Sequence, residues 1–221
     1  MGFFDFLKPK SETTIVTHKP KHSGAVSHVY LVLDETGSME PFETQTVNGL
    51  NEYVNSLAES SVFYLKKFNS ARTRVLYDGV PISKVKRFTA KDYKPAACTN
   101  LYDSIIESIN ELADKVGPLD KVIFSIITDG DDNESSKSAK DVKKAIADHE
   151  NWEFVFLGAN IDTAKTAKSF GINLDNVSSY SQNNTEAVFR NEGIRGSSYT
   201  AGKTKSMALT AQDRTSYNLV K

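Results

Sequence analysis

Cysteine, long apolar runs and an excess of either charge are all scarce in this sequence. The 221 residues include one cysteine, which excludes an internal disulfide and with it the class of disulfide-stapled secreted domains. No apolar run approaches the roughly 18 residues that a membrane-spanning helix needs. The first ten residues lack the basic start and long apolar stretch of a secretory signal. We therefore expect a cytoplasmic protein with no transmembrane segment.

The two signs of charge are almost balanced. Lysine and arginine total 27 and aspartate and glutamate total 28, so the formal net charge is −1 at pH 7. Proteins that bind nucleic acid or anionic membranes usually carry a positive excess, so the balance argues against both partners for the chain as a whole. The hydrophobic share of 39% and the charged share of 25% are typical of a folded domain.

What the sequence does contain is a regular alternation of strand-like and helix-like patterns. Near-continuous apolar runs at 28–33, 122–127 and 152–157 are typical of strands buried on both faces. Between the runs, apolar residues recur at helical spacing in four stripes: Val47, Leu50, Val54 and Leu57; Leu101, Ile105, Ile109, Leu112 and Val116; Ala139, Val142 and Ile146; and Ala164, Ala167 and Phe170. This alternation predicts an α/β fold, a doubly wound Rossmann-like three-layer sandwich with a mostly parallel sheet.

One connection is too short for a parallel crossover. The strand-like segments 62–68 and 73–77 are separated by a few residues, which predicts a hairpin with one antiparallel strand at the sheet edge. At an edge we expect the polar residues Lys66, Lys67 and Arg74 to face water.

The composition also divides the chain. Residues 1–24 combine a short apolar start with a stretch rich in Lys, Ser, Thr and Pro, and are interpreted as an N-terminal apolar segment and linker. Residues 25–192 form the predicted domain. Residues 193–221 have few large apolar side chains, and we expect a loosely packed or partner-dependent tail.

Oxygen-bearing side chains gather in three segments: 34–38, 97–100 and 128–133. In an open α/β sheet ligands lie beyond the carboxyl ends of the strands, where these segments are expected. In the first segment Asp34, Thr36 and Ser38 alternate, so a turning loop can aim three oxygens at one point, and Gly37 permits a tight approach. Carboxylate and hydroxyl oxygens suit Mg²⁺, with Mn²⁺ or Ca²⁺ also possible.

This pattern resembles the metal-ion-dependent adhesion site of the von Willebrand factor type A domain, in its bacterial or phage-like intracellular form. That site has Asp-x-Ser-x-Ser after the first strand, a Thr before a later helix, and an Asp, often followed by Gly, after the fourth strand. The matching residues are Asp34, Thr36, Ser38, Thr99 and Asp129, with separations of 65 from the first to the fourth and 30 from the fourth to the fifth. The resemblance covers about residues 26–182. Thr36 stands where Ser is commoner, but it keeps the hydroxyl.

The resemblance implies a function without catalysis. The five matching residues would hold a Mg²⁺ ion, and a protein partner would supply an Asp or Glu carboxylate as its last ligand. Flanking residues expected at the ligand rim are Glu35, Gly37, Asn100, Gly130, Asp131 and Asp132. The acidic members of the rim, together with Glu40, would favour a basic neighbourhood around that carboxylate. The partner's identity and the oligomeric state stay open.

Other functions were weighed against this one. A Mg²⁺-dependent phosphotransferase of the haloacid dehalogenase type also places an Asp after its first strand, but it needs a second acid where this chain has Thr36. A domain that has lost its metal is the third alternative. The segment 196–204 is similar to a phosphate-binding loop, but it has five residues between its glycines instead of four. Cys98 is interpreted as a small packed residue.

Overall fold

A six-stranded sheet lies between two layers of helices in the computed structural model, which describes residues 25–216 and the side chains of residues 25–214. The predicted N-terminal segment, 1–24, lies outside the described residues. The strands are β1 (Ser27–Asp34), β2 (Ser61–Asn69), β3 (Arg72–Pro81), β4 (Lys121–Thr128), β5 (Glu153–Gly158) and β6 (Val177–Ser179). The helices are α1 (Glu43–Ser56), α2 (Leu101–Ala113), α3 (Ala139–Ala147), α4 (Thr163–Ser169), α5 (Thr185–Thr200) and α6 (Ala211–Ser216).

The strand order is β3-β2-β1-β4-β5-β6. Every neighbouring pair is parallel except β2 and β3, which form the antiparallel hairpin at one edge. The predicted fold class is therefore confirmed. The last strand, β6, was not expected, because three residues are too few to give a recognisable pattern.

The central strands are rich in apolar residues because helices cover both faces of the sheet. In β1 the side chains of Val29, Leu31 and Leu33 pack in one core. Those of Tyr30 and Val32 pack in the core on the opposite face. Since successive side chains of a strand point to opposite faces, a strand covered on both sides offers no solvent-exposed position in its middle.

The helices form two layers. Residues of α1 and α5 share the core on one face with β1, β2, β4 and β5. Residues of α2, α3 and α4 form the core on the other face. The predicted stripe of α2 is buried from Leu101 to Leu112, whereas Val116 lies beyond the end of the helix. Within residues 25–216, no helix is both long enough and apolar enough to span a bilayer.

Two lysines of the hairpin contradict the expectation that they face water. Lys66 and Lys67 have exposed fractions of 2% and 1%. The reason is topological: β3 is the edge strand, while β2 lies between β3 and β1 and is covered on both faces. Arg74, on β3, keeps 40% of its side chain exposed. Each buried lysine is paired with a carboxylate, Lys66 with the partly exposed Glu111 and Lys67 with the buried Glu35, which offsets the cost of burying its charge.

The expectation of a loosely packed tail from residue 193 does not hold for residues 193–200. Helix α5 runs through that boundary, and Gly193, Gly196 and Tyr199 are buried against the domain. Small residues escaped notice because they contribute no apolar side chain, yet they allow α5 to approach α1 and the sheet closely. The segment similar to a phosphate loop belongs partly to this helix and follows no strand.

The close approach of α5 to α1 predicts different outcomes for two glycines of the same helix. A Cβ at Gly193 would lie 2.5 Å from the backbone carbonyl oxygen of Tyr53, whereas one at Gly196 would meet only the flexible tips of Leu57 and Ile123, at 3.3 Å. We expect Gly193→Ala to lower the free energy of unfolding by about 1–3 kcal/mol. Gly196→Ala is the control and should be neutral or gain up to about 1 kcal/mol. Urea unfolding measures both, and equal effects would contradict the packing.

Candidate metal centre

The three predicted segments meet at the carboxyl ends of two neighbouring strands. Asp34 is the last residue of β1, and Asp129 follows directly after β4. These strands are parallel and in register up to the pair Leu33 and Ile127, so their ends coincide. Thr99 stands two residues before α2, in the segment that returns to the same edge. The topology therefore places all three segments together.

The carboxylate of Asp34 organises the first loop. Its Oδ1 accepts a hydrogen bond from the backbone N–H of Thr36 at 2.7 Å. Its Oδ2 accepts one from the hydroxyl of Thr128 at 2.6 Å. Asp34 is fully buried, so its charge faces other groups of the site and not bulk water.

A chain of hydroxyl contacts joins the first loop to the third. The Oγ1 of Thr36 lies 3.2 Å from the Oγ of Ser38. The Ser38 hydroxyl donates a hydrogen bond of 2.7 Å to Oδ1 of Asp129. Thr36 and Asp129 are buried, whereas Ser38 is exposed. The exposed Ser38 therefore connects two buried side chains and is the member of the series that reaches the surface.

The hydroxyl of Thr99, the last of the five predicted donors, lies near Gly130, as does the hydroxyl of Ser38. A Cβ built on Gly130 would lie 3.6 Å from the Oγ of Ser38 and 3.8 Å from the Oγ1 of Thr99. A side chain at position 130 would fill the space between the two hydroxyls, and glycine leaves that space open. Gly37, in contrast, needs no special freedom, since a Cβ there would lie at 3.4 Å from the carbonyl oxygen of Ala97, an ordinary contact.

Burial disfavours the ionised form of both carboxylates of the site. It raises the pKa of Asp34 to about 6, although the hydrogen bonds from Thr128 and Thr36 oppose the rise. Burial also raises the pKa of Asp129, against the hydrogen bond from Ser38 and the side chain of Asn160. A cation placed between them would offset this cost.

The donor set determines which cations fit. Among the described residues no cluster of three or more His, Cys, Asp or Glu side chains could hold a metal. The group here instead offers two carboxylates and three hydroxyls, all of them hard oxygen donors. Such a set fits a hard divalent ion of the Mg²⁺ type and lacks the nitrogen and sulfur donors of typical zinc sites.

The rim residue Glu35 points inward, which corrects its expected role. It has an exposed fraction of 1%. Its Oε1 accepts hydrogen bonds from Nζ of Lys67 at 2.6 Å and from the backbone N–H of Lys94 at 2.7 Å. The guanidinium of Arg74 lies 3.6 Å away. Glu35 is thus neutralised within the protein and does not attract a basic partner.

The same ion pair fixes the segment that carries Thr99. The ammonium of Lys67 also donates to the backbone carbonyl of Asp92. The Tyr93 hydroxyl donates to the carbonyl oxygen of Asp34 at 2.6 Å. Further along, the N–H of Gly37 donates to the carbonyl oxygen of Ala97 at 3.0 Å. Three successive contacts therefore hold residues 92–97 against the loop after β1.

Asp132, another rim residue, is also committed to local structure. It accepts hydrogen bonds from the N–H of Tyr102 at 3.0 Å and from the N–H of Ser135 at 3.1 Å. The neighbouring side chain of Asn133 accepts from the N–H of Thr99 at 2.9 Å. These hydrogen bonds hold the loop after β4 against the start of α2. Asp131 stays exposed at the rim.

Two remaining residues next to Thr99 differ in exposure. Asn100 is partly buried, and its Oδ1 has no hydrogen-bond partner among the described residues. Cys98 is exposed, so the interpretation of a small packed residue was wrong. Its backbone N–H bonds to Ser70 at 3.0 Å, and the side chain therefore turns to solvent.

Four contributors to the site were missed in the sequence. Thr128 stands directly before Asp129, so its position at a strand end was a usable signal. Lys67, Tyr93 and Asn160 gave none, because their role depends on contacts with distant segments. Asn160 adopts φ of +55° after β5 and interacts with Asp129.

The sequence itself matches no model of a protein family and no curated protein. Solved structures, however, share the fold, and three examples illustrate the range. Proximal thread matrix protein 1 of the mussel byssus, with a zinc-occupied metal-ion-dependent adhesion site, is 15% identical, with a TM-score of 0.61 over 78% of this chain and 48% of its own. The von Willebrand factor type A protein of Catenulispora acidiphila is 15% identical, with a TM-score of 0.58 over 78% and 43%. Manganese-loaded TRAP of Plasmodium vivax is 19% identical, with a TM-score of 0.56 over 76% and 73%.

These similarities concern the fold. The chain has the fold of von Willebrand factor type A domains, and it spans 43–48% of the length of the first four matching structures. At identities of 14–15% the likeness carries no function by itself. The arrangement of side chains in this chain has to support any further conclusion.

The buried pair of Glu35 and Lys67 predicts a large loss of stability when one member is removed. Lys67→Met leaves the Glu35 carboxylate buried without its ammonium partner, and we expect the free energy of unfolding to fall by about 3–5 kcal/mol. The double variant Lys67→Met with Glu35→Gln removes both charges and should recover part of the loss. Chemical unfolding measures the three proteins. Additive losses in the double variant would contradict a direct pairing.

The raised pKa of Asp34 predicts that this residue's contribution to the stability of the metal-free protein increases as the pH falls from about 6 towards 4. In this window the folded carboxyl binds a proton that the unfolded one does not, so stability is lost again as the pH rises through the folded pKa. A carboxyl that titrates near 6 when folded and near 4 when unfolded contributes about 3 kcal/mol. Unfolding in the presence of a chelator, compared with Asp34→Asn, isolates this contribution. Identical pH profiles for the two proteins would disprove it.

Proposed function

We propose that this protein is a binding module in which a divalent metal ion, Mg²⁺ in the first place, is held at the carboxyl edge of the sheet. The ligand set consists of Asp34, Thr36, Ser38, Thr99 and Asp129. The observation that carries the proposal is that the hydroxyls of Ser38 and Thr99 both border Gly130, where a Cβ would lie 3.6 and 3.8 Å from them. The buried Asp34 and Asp129 supply negative charge next to it.

The chemistry of a bound ion follows from these donors. A metal held largely by neutral hydroxyls and water keeps much of its positive charge and attracts a further oxygen ligand. Ser38 is exposed, so that ligand arrives from outside. We infer that a protein partner presents an Asp or Glu carboxylate as the last ligand. Zinc and manganese, found in metal-loaded structures of the same fold, support a divalent ion in general, and the hard donor set favours Mg²⁺.

The phosphotransferase alternative is not favoured. In that mechanism the Asp after β1 attacks a phosphoryl group, but Asp34 is fully buried and both of its oxygens already accept hydrogen bonds. The second acid is absent at Thr36. His28 bonds to Tyr64 and Asp120 at the opposite end of the sheet, so it does not assist the exposed Cys98. We therefore propose a non-enzymatic role.

The exposed thiol supports a proposal about location. A single exposed cysteine is kept as a thiol most easily in a reducing compartment. We propose that the protein acts in the cytoplasm.

The proposed function can be tested without a partner by measuring how metal ions change the stability of the protein. At a Mg²⁺ concentration about one hundred times the dissociation constant, ligand linkage predicts about 2.7 kcal/mol of added stability. For a domain of this size that corresponds to a rise in Tm of about 5–10 °C. Thermal unfolding with Mg²⁺, with Mn²⁺ and with a chelator measures the rise.

Two serine variants make that test specific. Ser38→Ala removes an exposed hydroxyl of the ligand set, so the fold is retained and we expect the rise in Tm to be lost. Ser60→Ala, exposed at the opposite end of the sheet before β2, is the matched control and should keep it. A Tm that is the same in Mg²⁺, Mn²⁺ and chelator defeats the proposal.

A further inference from the structure

Positive charge is concentrated on one flank of the candidate metal centre. Between residues 72 and 94 the chain has seven Lys or Arg residues and two Asp residues. The basic residues are Arg72, Arg74, Lys84, Lys86, Arg87, Lys91 and Lys94. This stretch carries +5 in a chain of net charge −1, so all other residues together carry −6. The near-neutral total conceals a strongly basic surface, which we name the basic strip.

Most of the basic strip is not neutralised within the protein. Asp78 pairs with Lys115 of another element, and the Asp92 carboxylate accepts hydrogen bonds from Thr89. Two members of the strip contact carboxylates: Arg74 with Glu35 and Lys94 with Glu43. The other five form no ion pair with any described residue and are exposed: Arg72, Lys84, Lys86, Arg87 and Lys91.

The strip begins at the metal centre and leads away from it. Glu35, next to Asp34, contacts both Arg74 and the backbone of Lys94. Strand β3 then runs antiparallel to β2, and the segment after it returns towards Thr99. The exposed charges therefore extend from the rim along the β3 edge of the sheet.

The strip also contains a surface pocket of about 410 Å³. Its lining combines the apolar side chains of Leu76, Tyr77 and Phe88 with three cations and one acid: Lys84, Lys86, Arg87 and Asp92. Three cations beside apolar side chains suit a negatively charged partner with an apolar side chain to bury.

Two of the four acids expected to set the opposite polarity are unavailable, while Glu40 and Asp131 stay exposed. Glu35 is buried in an ion pair, and Asp132 caps the start of α2. On this flank the field at the rim is therefore set by the exposed cations of the strip. A partner rich in basic residues would be repelled by them, which reverses the preference expected from the sequence.

We propose that the basic strip is a docking surface for an acidic polypeptide segment. One carboxylate of that segment is the ligand at the metal centre, and its other acidic side chains lie against Arg72, Lys86, Arg87 and Lys91. This rests on the proposed function, whose last metal ligand is a carboxylate. A polypeptide is favoured over a nucleic acid because the proposed last ligand at the metal centre is an Asp or Glu carboxylate, a group that nucleic acids lack.

Polyglutamate is a suitable probe because it presents carboxylates without further chemistry. We expect fluorescein-labelled polyglutamate of about 20 residues to bind in Mg²⁺ at low salt, and to bind more weakly as NaCl rises from about 50 to 300 mM. Fluorescence anisotropy measures the dissociation constant. Polylysine and oligothymidylate of similar length are tested in parallel.

Charge reversal within the strip gives the decisive comparison. Lys86→Glu with Arg87→Glu should weaken polyglutamate binding about tenfold or more. The matched control reverses two exposed lysines of α3, Lys140→Glu with Lys144→Glu, and should leave the dissociation constant within about twofold. Circular dichroism establishes that both variants are folded.

Each outcome has a distinct meaning. Loss of binding in the strip variant and in chelator supports the whole proposal. A protein whose Tm responds to Mg²⁺ but which binds polyglutamate equally well in both variants, or not at all, keeps the proposed function and overturns the docking surface. Binding that needs the strip but is the same in chelator supports the surface and counts against the metal-bound carboxylate. Tighter binding of oligothymidylate than of polyglutamate overturns the choice of a polypeptide.

Discussion

The hydrogen bonds of one buried carboxylate define the architecture of the functional edge. Asp34 ends β1 and accepts from Thr36 in its own loop and from Thr128 at the end of β4. Because β1 and β4 are parallel neighbours, these bonds connect two loops that are far apart in the chain. The hydroxyl of Thr36 contacts that of Ser38, and the Ser38 hydroxyl donates a hydrogen bond to Asp129. Through its two hydrogen bonds Asp34 holds the loop after β1 next to the end of β4, so that the side-chain oxygens of both segments lie close together.

A second buried group, the pair of Glu35 and Lys67, extends the same order to the third loop. It holds the backbone around Asp92 and Lys94, and with it the approach to Thr99. The adjacent residues Asp34 and Glu35 thus have different roles: Asp34 faces the candidate metal centre, and Glu35 fixes the segment that leads to Thr99. Buried charge is costly, and in both residues the buried carboxylate fixes the position of a loop. The exposed cations of the basic strip remain available to a partner.

The fold and the candidate donors were predictable because they depend on local signals. Apolar runs and helical stripes predicted the layers, and the positions of the oxygen-rich segments relative to the strands placed them at one edge. The resemblance to the von Willebrand factor type A site then indicated Asp34, Thr99 and Asp129 as donors. The errors share one cause, which is that burial depends on distant neighbours. Lys66 and Lys67 look exposed in a hairpin but belong to its inner strand. Gly193 and Gly196 look like a loose tail but form the close contact between α5 and α1.

The sequence by itself determined the layered α/β architecture with one antiparallel edge strand, the oxygen-rich loops and the near-zero total charge. Only the tertiary structure decided how that charge is distributed. It buried Glu35 against Lys67, used Asp132 as a helix cap, and left the cations of residues 72–94 exposed beside the site. The physical reason is that a charge acts on a partner only where it is neither buried nor paired. Pairing between residues 32 positions apart, as in Glu35 and Lys67, is a property of the folded chain.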